Sequence, residues 1–96
     1  MILSFGDAAT EDVFNGRSSG RTRRFGADTL RAAVRKLDMI EASAALSDLS
    51  APPGNRLEAL KGEWRGFHSI RVNDQWRIVF RWERGGATEV RLTDYH

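Results

Sequence analysis

Hydrophobic and polar positions divide the chain into two stretches with different periods. Ala27, Leu30, Ala33, Val34, Leu37 and Ile40 recur three or four residues apart, the spacing of one buried helical stripe. Arg31, Arg35, Lys36 and Asp38 fall on the opposite side, so the pattern predicts a helix beginning at Arg23 or Asp28 and running to Ser43. Residues 44–49 add a turn, and Ala51-Pro52-Pro53-Gly54-Asn55 then stops any helix. Upstream, residues 1–5 read as a short first strand. Residues 8–14 read as a short helix capped by Asp7 or Thr10, and residues 15–20 as a loop.

Beyond Asn55 the period becomes two. Strands are predicted over residues 56–60, 67–72, 76–83 and 88–92, with turns at 61–63, 73–75 and 84–86. The order is strand, two helices, then an antiparallel meander. This is an α+β fold with the first strand and both helices packed on the sheet, in one domain over residues 1–96.

Alternation assigns faces within that sheet. Trp76, Ile78, Phe80 and Trp82 share one side with His68, Ile70 and Val72 of the preceding strand, and the last strand adds Thr88, Val90 and Leu92. This side should meet the helices. The other side should present Arg71, Arg77, Arg81 and Arg91, with Glu83 and Glu89 nearby. Two readings compete for it. It is a solvated face stitched by cross-strand Arg–Glu pairs, or a surface for an anionic polymer. Pairing accounts for Arg81 and Arg91 through Glu83 and Glu89, and accounts less well for Arg77. His68, on the apolar side, reads as a hydrogen-bonded core or edge residue.

Composition narrows the classes. Ninety-six residues with 41% hydrophobic and 29% charged content suit one small globular domain, neither disordered nor multidomain. With no cysteine there is no disulfide framework, thiol nucleophile or thiolate metal site, and two histidines with scattered carboxylates leave no metal centre to expect. No cofactor is expected either. The N-terminal residues lack the basic and long apolar runs of an export signal, so the expected location is the cytoplasm, with no membrane partner.

Charge changes the picture more than its total suggests. The formal net charge is +2, yet residues 17–36 hold seven bases against Asp28 alone, while residues 1–16 and 37–63 are each acidic by three. Thirteen of the 15 bases are Arg. Arg provides a planar fork of donors that matches phosphate, although a GC-rich coding bias produces the same excess. The basic block itself is either a solvated loop and helix face or a nucleic-acid contact.

The closing Thr93-Asp94-Tyr95-His96 supplies proton-competent and stacking groups just past the Arg-bearing sheet. RNA cleavage by its own 2′-hydroxyl needs a base for the 2′ proton, a cation for the pentacoordinate phosphate and an acid for the 5′ oxygen. Arg77, His96 and a further residue could divide those tasks.

Asn55-Arg56-Leu57-Glu58-Ala59-Leu60-Lys61-Gly62, Ser69-Ile70-Arg71-Val72-Asn73-Asp74-Gln75-Trp76-Arg77-Ile78 and the final Asp94-Tyr95-His96 together resemble the HigB-type, or proteic killer, branch of the RelE-like toxins. Met1-Ile2-Leu3-Ser4-Phe5 and Thr22-Arg23-Arg24 resemble it too, so the likeness spans the chain. The resemblance implies a microbial-RNase-like fold. It also implies a type II toxin that enters the ribosomal A site and cleaves mRNA, without a metal, during translation. A helix-turn-helix antitoxin would neutralise it and carry the complex to operator DNA. By the same resemblance Arg77 contacts the scissile phosphate and Lys61 neutralises phosphate. His96 transfers a proton, Asp94 orients groups, and Tyr95 stacks on or positions a base. Arg71, Arg81, Arg21, Arg23 and Arg24 are the further RNA-binding candidates. One departure stands out: the family's catalytic His before the Lys-Gly turn is Glu58 here, which is a candidate general base or a sign of altered cleavage. Two other readings therefore remain, a non-catalytic RNA- or ribosome-binding inhibitor and a co-repressor active only with its antitoxin.

Overall fold

The computed structural model describes residues 1–94. A short helix, α1 (Ala8–Phe14), is followed by a 3-10 turn and a long helix, α2 (Ala27–Ala42). Four strands complete the chain: β1 (Glu58–Ala59), β2 (His68–Arg71), β3 (Arg77–Glu83) and β4 (Gly86–Thr93), antiparallel in sequence order. Asp7 caps α1, its Oδ1 accepting from the Thr10 amide at 2.8 Å.

Residues 1–6 form the fifth track of the sheet. Ile2 and Phe5 pair in parallel with Ala87 and Val90, and the Leu3 and Gly6 amides donate to the Ala87 and Val90 carbonyls at 2.7 Å each. Close approach explains the small residues here. A Cβ on Gly86 would lie 2.8 Å from the Met1 carbonyl oxygen, and one on Gly6 would lie 2.8 Å from that of Glu89. The Met1 ammonium donates to the Ile40 and Ser43 carbonyls at 3.1 and 2.8 Å, a cation at the negative end of α2.

The core lies between the helices and one side of the sheet. Ala33, Leu37 and Ile40 of α2 are fully buried with Ile70, Ile78, Phe80 and Val90. Thr10 is also fully buried, because its hydroxyl accepts from the Leu92 amide at 2.8 Å, a strand donor beyond the reach of the N-terminal segment. Asn55, likewise buried, donates to the Leu49 carbonyl at 3.1 Å and accepts from Lys36 Nζ. Burial, with Arg35 and Arg71 nearby, lowers the Lys36 pKa.

One sequence alternative is settled and two expectations change. The helix starts at Ala27, beside the Asp28 start and not at Arg23, because Arg23–Phe25 belong to the preceding turn, where the Phe25 amide donates to the Thr22 carbonyl. The strand expected over residues 56–60 shrinks to two residues, since Arg56 adopts a left-handed conformation (φ 46°) as the chain leaves the Pro-Pro turn. In β4, strict alternation fails at one residue. Val79 pairs with Arg91 but Arg81 pairs with Thr88, so a bulge inserts Glu89, itself left-handed at φ 53°. The bulge puts Ala87, Val90 and Leu92 on the core side and moves Thr88 to the arginine side.

Candidate RNA-binding face

Register places the arginines in adjacent rungs on the side of the sheet away from the helices. One rung reads Arg71, Arg77, Thr93 across β2, β3 and β4. The next reads Glu58, Ser69, Val79, Arg91 from β1 to β4. Directly opposed residues share a side, so all of these groups face the same way.

The face is not an open solvated plane. Ser69 and Val79 are completely buried and Phe67 nearly so. The turn after β1 closes back onto Phe67, whose carbonyl accepts from the Leu60 amide at 2.9 Å. A 3-10 turn over Gly62–Trp64 places the half-buried Trp64 edge-on to the Phe67 ring, with centroids 5.1 Å apart. Gly62 and Gly66 hold φ at 66° and 92°, the left-handed conformations this fold-back requires. A Cβ on Gly66 would also come within 2.7 Å of the Arg81 guanidinium, which lies over Phe67 at 4.3 Å.

Ion pairing separates the four arginines into two kinds. Arg81 Nε meets Glu89 Oε2 at 3.0 Å, and Arg71 pairs with Asp74 in the β2–β3 turn. Glu83 accepts from the Thr88 hydroxyl at 3.1 Å. Arg77 and Arg91 meet no carboxylate among the described residues. Arg77 Nη1 and Arg91 Nε are buried with no hydrogen-bond partner. The pairing expected between Arg91 and a glutamate is thus not formed, because the bulge turns Glu89 toward Arg81. Buried guanidinium donors are costly to leave unmet, which makes these two the strongest anion-seeking groups on the face.

The remaining candidates are distributed around this pair. Asp94 directly follows Thr93, the cross-strand partner of Arg77, and its Oδ2 accepts from Gln75 Nε2 at 3.3 Å. Tyr95 and His96 lie outside the described residues. Glu58 is exposed on the sheet edge, with β2 between it and β3, and Lys61 is exposed where the Trp64 turn begins. His68 stacks on Phe80 with centroids 6.3 Å apart on the core side, and its buried Nδ1 lacks the hydrogen bond the sequence led us to expect.

The basic block over residues 17–36 resolves into contacts of several kinds. Asp12 accepts from the Ser19 hydroxyl at 2.8 Å and pairs with Arg21 at 3.3 Å and Arg17 at 3.5 Å. The Ser19 hydrogen bond, ahead of the two guanidinium groups, holds the Asp12 carboxyl below its ordinary value despite burial. Arg31 pairs with Asp28. Arg23 and Arg24 are exposed, and Arg24 lies 4.9 Å over Phe25. Phe25 packs edge-on against Trp76 at 4.9 Å, so these arginines flank the end of the sheet where Arg77 begins β3.

Trp64 and Arg91 are the two residues of this face that the sequence did not single out. The signal for Trp64 was a large aromatic between two glycines in a turn, where burial alone does not demand one. Arg91 was hidden by an apparent glutamate neighbour that the bulge sends elsewhere.

Comparison with known proteins identifies the family and the fold. A family model described as the RelE-like toxin of type II toxin–antitoxin system HigB matches residues 3–96. The chain is 40% identical over 92 residues to Toxin HigB-1 of Vibrio cholerae, spanning 96% of this chain and 95% of that one. It is 42% identical over 41 residues to Endoribonuclease HigB of Proteus vulgaris, spanning 43% and 45% of the two chains. Among solved structures, a YafQ variant from E. coli superposes with a TM-score of 0.66 at 15% identity, over 98% of this chain and 91% of that one. The YoeB–YefM complex from Staphylococcus aureus gives 0.61 at 18%, over 100% and 98%. At such identities these two establish the shared fold.

Proposed function

The chain belongs to the HigB-like, RelE-related toxins of type II toxin–antitoxin systems, and from that premise we propose that it is an endoribonuclease that cuts mRNA on the ribosome. The observation that carries this is Arg77, a guanidinium on the side of the sheet away from the helices, with a buried, unpartnered Nη1 and no carboxylate partner among the described residues. A scissile phosphate gains negative charge as the 2′-oxygen attacks, and a donor already fixed in place stabilises that charge without reorganising.

The reaction needs two proton transfers beside that cation. The ladder sets Thr93 opposite Arg77, so Asp94 directly follows the residue that faces this guanidinium, while Tyr95 and His96 lie outside the described residues. In this reading His96 moves a proton, Asp94 orients groups and Tyr95 holds the adjoining base. Glu58 is the second proton-transfer candidate, and it must act across β2 from the sheet edge. Lys61 supplies positive charge beside the bound strand, and Arg71 and Arg81, each already paired with a carboxylate, line it as hydrogen-bond donors. Arg23 and Arg24, at the rim, meet ribosomal RNA or the acidic part of an antitoxin. The toxin acts in the cytoplasm and is neutralised by a helix-turn-helix antitoxin, through which alone it reaches operator DNA. Among the described residues no helix is long and apolar enough to cross a membrane.

Induced expression with and without the neighbouring antitoxin gene, followed by cleavage mapping of cellular mRNA, tests the proposal. Cuts within translated reading frames, suppressed by the antitoxin, are the expected result. Growth arrest with intact mRNA would favour a binding-only inhibitor, for which Glu58 in place of a family His is the supporting observation. No effect of the free chain on translation would leave only the co-repressor.

A further inference from the structure

We propose that Arg91 and Trp64 form a second nucleotide-binding subsite beside Arg77, with Arg91 taking a neighbouring phosphate of the RNA strand and Trp64 stacking on the attached base. This rests on the endoribonuclease reading above and adds a specificity-determining pair to it.

Position is the first argument. Arg77 is opposite Thr93, and Arg91 precedes Thr93 by two residues on the same side, so Arg91 is the diagonal cross-strand neighbour of Arg77. Such neighbours are about 7–8 Å apart between backbones, and two long side chains so placed can hold successive parts of one extended polyanion.

Charge is the second. Of the four arginines on this side, only Arg77 and Arg91 lack a carboxylate partner among the described residues, and only they have a buried guanidinium nitrogen without a hydrogen bond. The same physical signature marks both. If the signature at Arg77 reads as a phosphate site, it reads the same way at Arg91.

The surroundings of Arg91 supply the third. Its side chain lies against Gly6, where a Cβ would come within 2.5 Å of Nε and 2.7 Å of Nη2. The absence of a side chain at position 6 therefore leaves the room the guanidinium occupies. Its Cζ stands 5.8 Å from the Trp64 ring centroid, and Trp64 is held edge-on by Phe67 rather than sunk in the helix-side core. An aromatic ring fixed beside an unpaired cation on a basic face is the pairing with which single-stranded nucleic acid is gripped. The ring tolerates any base but ranks bases by stacking strength.

The experiment is single-turnover cleavage of a defined mRNA programmed on ribosomes, with toxin titrated at several salt concentrations. Arg91→Gln should raise the half-saturating toxin concentration while leaving the rate at saturation within about twofold, and should flatten the salt dependence by about one charge. Trp64→Ala should weaken half-saturation by about five- to a hundredfold and level the base preference next to the cut. Arg91→Lys and Trp64→Phe keep the charge and the ring, and should each recover most of the loss. Melting curves confirm that each variant is folded, and the two conservative variants keep the test decisive if Trp64→Ala is not. The inference is overturned if folded Arg91→Gln and Trp64→Ala match wild type in concentration, salt response and base preference, or if Arg91→Gln alone does so where Trp64→Ala does not fold, while Arg77→Ala still abolishes cutting. That result would leave the endoribonuclease reading standing. Failure of the wild-type protein to cut at any concentration would overturn both.

Discussion

A guanidinium differs from its neighbours here by what it lacks. Arg71 and Arg81 spend their charge on Asp74 and Glu89, in exposed or half-exposed pairs that contribute little to stability. Arg77 has no such pair among the described residues, so removing it should cost function rather than fold. Arg77→Ala is expected to lower ribosome-dependent cleavage by about a hundred- to a thousandfold, the usual effect of losing one fixed donor at a developing oxyanion. Its melting temperature should stay at or above that of wild type, because the deletion also removes a buried donor without a partner. Single-turnover cleavage and thermal denaturation measure the two effects separately. Glu58 offers the complementary experiment. Glu58→His restores the residue type the family carries before its Lys-Gly turn, on an exposed edge where the fold should tolerate it. It should raise the cleavage rate and add a rate dependence near neutral pH. A flat pH–rate profile at the wild-type rate would remove position 58 from the proton-transfer path.

Elements are tied together by a few polar contacts whose loss the core cannot absorb. The Thr10 hydroxyl is the acceptor for the Leu92 amide, linking α1 to β4 inside the fold. Thr10→Val keeps the volume and removes the acceptor, and should destabilise by about 1–3 kcal/mol. Denaturant unfolding would show it, and an unchanged midpoint would mean another group meets that amide. The loop after α1 depends on Asp12, whose pKa is lowered mainly by Ser19 and then by Arg21 and Arg17. A carboxylate with a depressed folded-state pKa contributes stability above its unfolded value, near 3.8, and loses it as pH falls through the lower folded value. Wild type should therefore lose stability more steeply than Asp12→Asn below about pH 4, as pH-dependent melting would reveal. The β4 bulge acts at this scale too. One residue in a left-handed conformation settles that Glu89 meets Arg81, and leaves Arg91 without a carboxylate partner among the described residues.

Across the whole molecule the charge has two addresses. The sheet face holds unpaired arginines above buried Val79 and Ser69, and the rim at Arg23 and Arg24 is exposed beside Phe25 and Trp76. Arg17, Arg21 and Arg31 instead neutralise carboxylates of this same chain. Reversing Arg23 and Arg24 to Glu should weaken ribosome association and reduce its salt dependence by about two charges or more, with little change in stability. Sedimentation with ribosomes across a salt series checks this. An unaltered salt response would return the rim to an ordinary solvated loop.

The sequence alone determined the layer order, the helix-facing stripe of α2, the core side of β3 and the membership of Arg77 in the opposite side. These follow from periods of 3.6 and two, which are local properties of the chain. It also carried the family resemblance, in motifs that survive without knowledge of packing. Only the tertiary structure decided which arginines are neutralised. That depends on the bulge at Glu89, on register across strands distant in sequence, and on a tryptophan folded back over the sheet by two left-handed glycines. A bulge puts the residues on its two sides one place out of step, so strict alternation from Val90 and Leu92 back through Glu89 carried Thr88 to the wrong side. Pairing is a matter of a few ångströms in space, and adjacency in sequence does not fix it.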